Sequence, residues 1–342
     1  MACPINWARR SAGNNRVRAG LALMPPLYRG LLTKATTSLL CILSIRGIRT
    51  MSTTSPRMIV RRMAFRFAAT LGGHWNPQRP QFSHIVNAAS LAMPYLEPYL
   101  IDTMRQARAR ISDPRLLADI DLYIGQEAAH YRQHQQFNRR LADMGYTAVP
   151  AMEARLKADY AGFAKRRSFT FNLAYAEGFE AMALAIGHML IEDREHLFGR
   201  ADPAVASLIL WHFVKEIEHK SATYDVFKAL DGRYLWRIWG LIFATVHIMA
   251  RTRQGYAAML HQEGLWWHWR SRLATWRLLA HIFRRLTPRF LAVLRPGYDP
   301  RQVPDPAWAQ AWWRQHHQGD PGLATLDTHR LAHAEPICIA AA

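Results

Sequence analysis

The chain has 342 residues, half of them hydrophobic, and a formal net charge of +19 at neutral pH. Its three cysteines, Cys3, Cys41 and Cys338, lie near the ends; this pattern excludes a disulfide framework and a cysteine-based metal site, and it favours a reducing compartment. Residues 1–96 hold 13 of the 44 basic residues and no acid, while the rest carries 31 basic and 25 acidic residues, so the charge does not indicate a nucleic-acid-binding surface.

The first 57 residues differ in composition from the rest of the chain. They are rich in arginine, serine, threonine and proline, and their apolar run, SLLCILSI, is too short to span a bilayer. We expect residues 1–57 to form a disordered basic leader or to reflect a start codon assigned too early, with Met51 and Met58 as alternative starts. A targeting leader and a functional basic arm are the two remaining interpretations.

After residue 74 the spacing of apolar residues is typical of α-helices, and no alternating run bounded by turn residues indicates a β-strand. The first predicted helix contains Pro94 and Pro98 and is expected to be kinked. Asp-Pro pairs open later helices and glycines close them. The predicted helices cover residues 84–111, 112–145, 150–166, 169–198 and 203–232, of which all but 150–166 are long. The sequence thus predicts an all-α bundle of four long helices over residues 74–232.

Two further helices, rich in tryptophan and arginine, are predicted within residues 233–292. The segment YLWRIWGLIFATVHIMA is apolar through its length but is interrupted by Arg237 and His247, so its uncharged part is shorter than a bilayer-spanning helix. We expect these helices to pack on the bundle or on a membrane surface, where tryptophan and arginine are both favoured. Residues 293–342 are rich in Pro, Gly and His and are predicted to be a loose tail.

The segment WHFVKEIEHK places three possible ligands on one side of the predicted helix 203–232. At about 100° per residue, Glu216 lies about 40° from His212, and His219 returns to within about 20° of His212. The same half of the helix carries apolar residues, so this stripe is expected to face the interior. A buried carboxylate needs a positive partner, which a lysine or arginine, a hydrogen-bonded histidine or a metal ion can supply.

A second Glu-x-x-His motif occurs in GQEAAHYRQH, as Glu127 and His130 on the second long helix. Glu97 and Glu180 lie among apolar neighbours on the first and third. One carboxylate, one Glu-x-x-His, one carboxylate and one Glu-x-x-His on four successive helices is the ligand order of a di-metal carboxylate bundle. Two divalent cations would balance these four carboxylates. Imidazole with carboxylate suits iron, with manganese and zinc as alternatives.

The ligands on the fourth helix have a simpler interpretation. Glu216 and His219 can instead form a buried ion pair with Lys215 or Lys220. His212 can be a core histidine that is hydrogen-bonded to a carboxylate. Both interpretations stay open at the level of the sequence.

The other helices also offer alternatives. Asp102 is the rival of Glu97 as a ligand, and Glu177 is the rival of Glu180. His74 is expected to be structural. Residues expected to orient the ligands, rather than to bind metal themselves, are His134, His188 and Asp225.

Three segments resemble the bacterial family described as predicted metal-dependent hydrolases: HWNPQRPQFSHIVNAASLAMPYLEPYL, GQEAAHYRQHQQFN and WHFVKEIEHKSATYDVF. The resemblance covers about residues 74–230 and implies a metal more firmly than a reaction. Family segments typically read Gln-Glu-x-x-His in the second helix and Trp-His-x-x-x-Glu-x-Glu-His-Lys in the fourth, and this chain keeps both. It departs from the family at Pro98, directly after Glu97, and at His188.

His-x-x-x-Glu-x-x-His on the fourth helix is also similar to the ligand pattern of di-iron arylamine N-oxygenases. In that family the additional histidine is a third imidazole ligand, so the similarity implies that His212 binds metal beside Glu216 and His219. Together with the four predicted helices, these resemblances lead us to expect a ferritin-like bundle.

The preferred function at this level is that of a di-iron oxygenase or oxidase, which uses O2 on an apolar, aromatic or lipidic small molecule. The alternative is a hydrolase in which hydroxide on the metal attacks an ester, amide or phosphate. A non-catalytic metal-binding or membrane-surface protein is the third. We expect a cytoplasmic protein with peripheral contact to the inner membrane surface, and the sequence indicates no oligomeric state.

Overall fold

The computed structural model describes residues 58–316, and the predicted leader 1–57 lies outside this range. The described part contains helices and no β-strand, which confirms the all-α prediction. In chain order the helices are α1 Pro80–Ser90, α2 Met93–Arg108, α3 Pro114–Asp143, α4 Val149–Arg166, α5 Phe169–Glu192, α6 Arg194–Phe198, α7 Pro203–Glu218, α8 Ala222–Leu230, α9 Tyr234–Gln262, α10 Trp269–Val293 and α11 Ala307–Gln315, with a short 3-10 helix, Pro300–Gln302, before α11.

Capping residues set the helix boundaries that the sequence predicted. The side chains of Asp113, Ser168 and Asp202 each accept a hydrogen bond from a backbone N–H in the first turn of α3, α5 and α7. These bonds satisfy amide groups that have no partner within the helix. Gly145 and Gly232 follow the ends of α3 and α8 with φ of 87° and 69°, a left-handed conformation that glycine adopts without steric cost.

Two predicted long helices are each divided in the structure. The helix predicted for residues 84–111 is α1 and α2, because the chain turns at residues 91–92 and Pro94 then occupies the first turn of α2. The helix predicted for residues 203–232 is α7 and α8, separated by a turn at residues 219–221. His219 therefore lies at the end of α7 and not within a continuous helix.

Four helices enclose the centre of the bundle. α2 packs along α3, and α5 packs along α7. Contacts of α2 with α5 and of α3 with α7 join the two pairs. Each of the four helices thus has two neighbours within the group, and side chains from all four can meet inside it.

α9 and α10 pack on the outside of these helices, against α1 and α5. The crossing of α5 and α9 is close because both helices have a glycine there. A Cβ on Gly240 would overlap the backbone carbonyl of Ala174, and a Cβ on Gly178 would overlap the backbone of Leu241. Within residues 58–316, no helix has both the length and the apolar character needed to cross a membrane.

Residues 58–67 run in an extended conformation along α3. Arg61, Met63 and Phe65 are buried, and the residues between them are exposed, as in a half-buried strand. On α3, the Gln133 amide donates to the Met63 carbonyl (2.7 Å) and accepts from the Phe65 N–H (3.2 Å). This segment therefore belongs to the folded unit.

The C-terminal part of the described chain is more ordered than the predicted loose tail. α11 places Trp308, Trp312 and Trp313 in buried positions and packs on α5 and α7. The Arg61 guanidinium lies over the Trp312 ring, 5.3 Å from its centroid. The tryptophans give α11 an apolar side, although the Pro- and Gly-rich sequence around it suggested a loop. Residues 317–342 lie outside the described range.

Candidate metal centre

The structure brings all seven predicted ligands together inside the bundle. Each has at most 5% of its surface exposed. They are Glu97 on α2, Glu127 and His130 on α3, Glu180 on α5, His212 and Glu216 on α7, and His219 at its end. Two groups of three have donor atoms within 4.8 Å of one another, namely Glu97, His130 and His212, and Glu127, Glu216 and His219.

Two carboxylates join these groups. Glu216 Oε1 lies 3.2 Å from His212 Nε2, and Glu216 Oε2 lies 3.1 Å from His219 Nε2. Glu127 Oε1 lies 3.3 Å from His130 Nδ1 and 3.6 Å from His219 Nε2. Each of these carboxylates thus faces histidines of both groups, as bridging ligands do in di-metal bundles.

Glu180 completes the side of the cluster near His219. Its Oε2 lies 3.2 Å from His219 Nε2, and its Oε1 accepts a hydrogen bond of 2.7 Å from the Tyr123 hydroxyl. The tyrosine fixes one carboxylate oxygen, so that the other is directed at the cluster.

The buried charge of the cluster is suited to a cation. Neither oxygen of Glu97 or Glu127 has a hydrogen-bond partner within the described chain. Burial raises the pKa of Glu97 well above its usual range, and the charges of Glu127, Glu216 and Glu180 raise it further. The pKa of Glu127 rises for the same reasons, chiefly burial and then Glu216. Carboxylates in this position either hold protons or balance bound cations.

The histidines on α3 and α7 are suited to bind metal as neutral imidazoles. Burial lowers the pKa of His130 to about 4, and it lowers the pKa of His212 well below the usual value. Neither ring nitrogen of His130 has a hydrogen-bond partner among the described residues. At His219 burial also opposes the charged form, but the carboxylates of Glu216 and Glu180 outweigh it and raise the pKa.

A chain of hydrogen bonds fixes the orientation of His212. Ser90 donates to Asn138 Oδ1 (2.7 Å), so the Ser90 oxygen is free to accept from His134 Nδ1 (2.8 Å). His134 Nε2 is then the acceptor for His212 Nδ1 (3.0 Å). His212 Nε2 consequently carries the lone pair and faces Glu216. The predicted orienting role of His134 agrees with these contacts.

A second chain fixes His219 through Gln126. The Gln126 amide donates to Glu218 Oε2 (2.7 Å) and to the Ile59 carbonyl (2.9 Å). Its oxygen therefore faces His219 Nδ1 at 2.9 Å and accepts that proton. This arrangement leaves His219 Nε2 directed at the carboxylates of the cluster.

A comparison with protein-family models identified a match to "Predicted metal-dependent hydrolase" over residues 59–303, which is more than half of the chain. The chain belongs to this family. No curated protein and no solved structure matched the chain in the two other comparisons. The matched range extends beyond residues 74–230, where the sequence resemblance was found, and includes the extended segment on α3 together with α9 and α10. The ferritin-like label and the identity of the metal remain predictions.

In this predicted metal-dependent hydrolase, two residues expected to orient the ligands lie elsewhere. Asp225 on α8 pairs with Arg301 near the surface. His188 is buried, but its Nδ1 lies 3.9 Å from Glu192, towards the end of α5. Helical spacing alone placed them near the cluster, whereas the turn at residues 219–221 changes the direction of α8.

The two rival carboxylates also lie in other environments. Asp102 is exposed and pairs with Arg105 at 3.0 Å. Glu177 is buried 3.7 Å from Arg237 on α9, and burial raises its pKa to about 8. The hydrogen-bonding roles of Ser90 and Gln126 were not predicted. The one sequence signal for Gln126 is its place in the Gln-Glu-x-x-His pattern.

Replacing Gln126 with leucine is expected to weaken metal binding by about 10–100-fold, because His219 loses the acceptor that fixes its tautomer. Titration of the metal-free protein with Fe2+, Mn2+ or Zn2+ measures this. Gln133→Leu is the matched control, since Gln133 lies on the same helix and bonds to backbone groups of the extended segment instead. Equal affinities of the two variants would contradict a role of Gln126 in the site.

Proposed function

We propose that this chain is a hydrolase whose active site holds two divalent metal ions between α2, α3, α5 and α7. The observation that carries the proposal is the convergence of buried carboxylates and imidazoles, with unpaired atoms on Glu97, Glu127 and His130. Without a cation, several of these carboxylates would have to be protonated. The family match supports hydrolysis as the reaction.

The donor groups divide naturally between two ions. Glu97, His130 and His212 would hold one, and His219 and Glu180 would hold the other. Glu127 and Glu216 would be shared, because each lies next to histidines of both groups. Nitrogen and oxygen donors of this kind suit iron, manganese or zinc.

Bound metal would supply Lewis acidity, which polarises the scissile group and lowers the pKa of a bound water. The chain's own residues orient the donors and control the surroundings. Tyr123 holds one oxygen of Glu180, and its ring lies 5.0 Å from that of His219. The Trp211 ring lies 4.9 Å from His130 and packs against Phe65. These aromatic side chains limit the access of bulk water to the cluster.

Oxidation with O2 is the second candidate. It is favoured by the third imidazole, because His212 faces both Glu97 and Glu216 in a cluster with dry aromatic walls. Iron with carboxylate and imidazole ligands is the expected form for that chemistry. The two candidates use the same metal-binding residues and differ in their need for oxygen.

Turnover with and without oxygen separates the candidates. Protein loaded with Fe2+, Mn2+ or Zn2+ would be tested against esters, amides and phosphate esters, together with aromatic amines and fatty acids, in air and under argon. The proposal expects hydrolysis at equal rates in both atmospheres. Product formation that requires O2, with loss of activity under argon, would favour the oxygenase. Full metal content without turnover of any substrate would favour a non-catalytic metal-binding protein.

A further inference from the structure

The exposed apolar side chains of this protein are concentrated on one part of the surface. Thirteen large hydrophobic residues of the described chain are exposed, and twelve of them lie between residues 234 and 291, on α9, on α10 and in the connection between them. Trp267, Trp269 and Trp276 are 73%, 64% and 66% exposed. Such a concentration of exposed apolar groups marks a surface that binds something.

On α9 the exposed apolar residues form one stripe along the helix. They follow helical spacing and all point within about 40° of a single direction. They are Leu235, Trp239, Ile242, Val246 and Met249. The opposite side of α9 is buried against α1 and α5. The helix therefore has two apolar sides, and only one of them is covered by the bundle.

α10 carries a similar stripe with a row of arginines beside it. Trp269, Leu273, Trp276, Phe283 and Leu291 are exposed and also point within about 40° of one direction. Arg270, Arg277 and Arg284 are exposed at about 60–100° from that direction, on the side away from α9. An apolar stripe that is edged with arginine is typical of helices lying in a membrane interface.

The two helices run side by side in opposite directions. The Tyr234 hydroxyl donates to the Leu294 carbonyl (2.6 Å) near one end, and the hydroxyls of Tyr256 and Thr275 are 2.6 Å apart near the other. Both helices bury their inner sides on α1 and α5, so their exposed stripes face outward together. We call this combined surface the α9–α10 face.

The charge of this region selects one kind of partner. Residues 232–298 contain eleven arginines, no lysine and a single acidic residue, Glu263. That carboxylate is already engaged by His74, His84 and Tyr146. A second copy of the same face would bring like charges together, which opposes self-association. A surface of anionic phosphate headgroups above acyl chains matches both the arginines and the exposed tryptophans.

We propose that the α9–α10 face docks on the surface of an anionic phospholipid bilayer. The apolar stripes enter the region between headgroups and acyl chains, and the arginines pair with lipid phosphates. No described helix can span the bilayer, so the protein lies on it. This inference is independent of the reaction at the metal centre, since the face does not contain the proposed ligands.

Vesicle sedimentation with the full chain tests the proposal. Vesicles of phosphatidylcholine alone would be compared with vesicles that also contain phosphatidylglycerol. We expect binding to the mixed vesicles, weakened by salt. Replacing Arg270, Arg277 and Arg284 with glutamine should reduce binding by about 100-fold, since each arginine near the surface contributes about tenfold or slightly less. Trp269→Ser with Trp276→Ser should reduce binding as well, because it removes the apolar anchor.

The matched control is a triple arginine variant on another helix. Arg115, Arg132 and Arg139 are exposed on α3, and their replacement with glutamine removes the same charge. Retained binding by this control and loss in the α10 variants would support the proposal. Equal binding by all variants would overturn it and assign binding to the basic residues 1–57. A wild-type dimer that the two Trp→Ser changes dissociate, without vesicle binding, would also overturn it in favour of a second copy.

Discussion

Replacing Glu127 or Glu216 with alanine is expected to remove most of the bound metal. Each carboxylate faces histidines of both donor groups, so each substitution takes a ligand from both proposed ions. We expect elemental analysis to find about two ions per chain in the wild-type protein and fewer than one in either variant. Protein purified without added metal is the material for this measurement.

Asp121→Ala is the control for this experiment. Asp121 lies on α3, like Glu127, but its side chain is 54% exposed and pairs with Arg108 on the surface. It should retain the full metal content. Equal metal content in all proteins would contradict the proposed site.

The same substitutions should have the opposite effect on the metal-free protein. There the buried carboxylates repel one another and are costly to ionise, so removing one should leave the stability unchanged or raise it. Thermal unfolding in the presence of a chelator measures this. A large loss of stability in metal-free Glu127→Ala would indicate that the carboxylate has a structural role instead.

Replacing Glu218 with leucine is expected to destabilise the protein by about 3–5 kcal/mol. Its buried carboxylate accepts hydrogen bonds from Arg61 Nη1 at 3.0 and 3.1 Å, and it also contacts Lys215 Nζ. Burial lowers the pKa of Arg61 to about 10, which leaves its guanidinium charged at neutral pH. Removing the carboxylate therefore leaves a buried positive charge without its partner. Urea denaturation of the metal-free proteins measures the effect.

The triple variant Arg61→Met, Lys215→Met, Glu218→Leu identifies the cause. If an unpaired charge is responsible, replacing all three polar groups with apolar ones should restore much of the lost stability. If the triple variant is as unstable as Glu218→Leu, lost packing is the cause and the electrostatic explanation is wrong. Asp121→Ala serves again as a surface control, with no measurable loss expected.

The position of the metal-binding residues could be predicted because it follows from helical spacing and charge. Glu127 with His130 and Glu216 with His219 repeat the same motif, and the structure brings both motifs together in the core. Glu97 and Glu180 were chosen because of their apolar neighbours, and both are buried next to these motifs. A carboxylate inside an apolar helix is informative because burial without compensation is so costly.

Other parts could not be predicted because they depend on contacts between distant segments. The alternation of residues 58–67 is hidden by Arg61, a charged residue at a buried position that is tolerated because Glu218 meets it. The turn at residues 219–221 has no proline or glycine to signal it. Gln126 resembles any polar residue until the structure shows that it connects Ile59, Glu218 and His219.

The Trp- and Arg-rich helices show a different limit. The sequence offered packing on the bundle and contact with a membrane as alternatives for residues 233–292. α9 and α10 bury one side against α1 and α5 while a second apolar side stays exposed. An average over the residues of a helix cannot separate the two sides, whereas their directions around the axis can.

Because one amide, that of Gln126, bonds both to the charged network and to a proposed ligand, damage on either side of it will spread to the other. A random mutagenesis screen scored by enzymatic output would therefore recover substitutions at Arg61 and Glu218 among its inactive clones. Those clones would be mistaken for defects in chemistry. Pairwise epistasis between these positions and Gln126 would reveal that they share one physical cause.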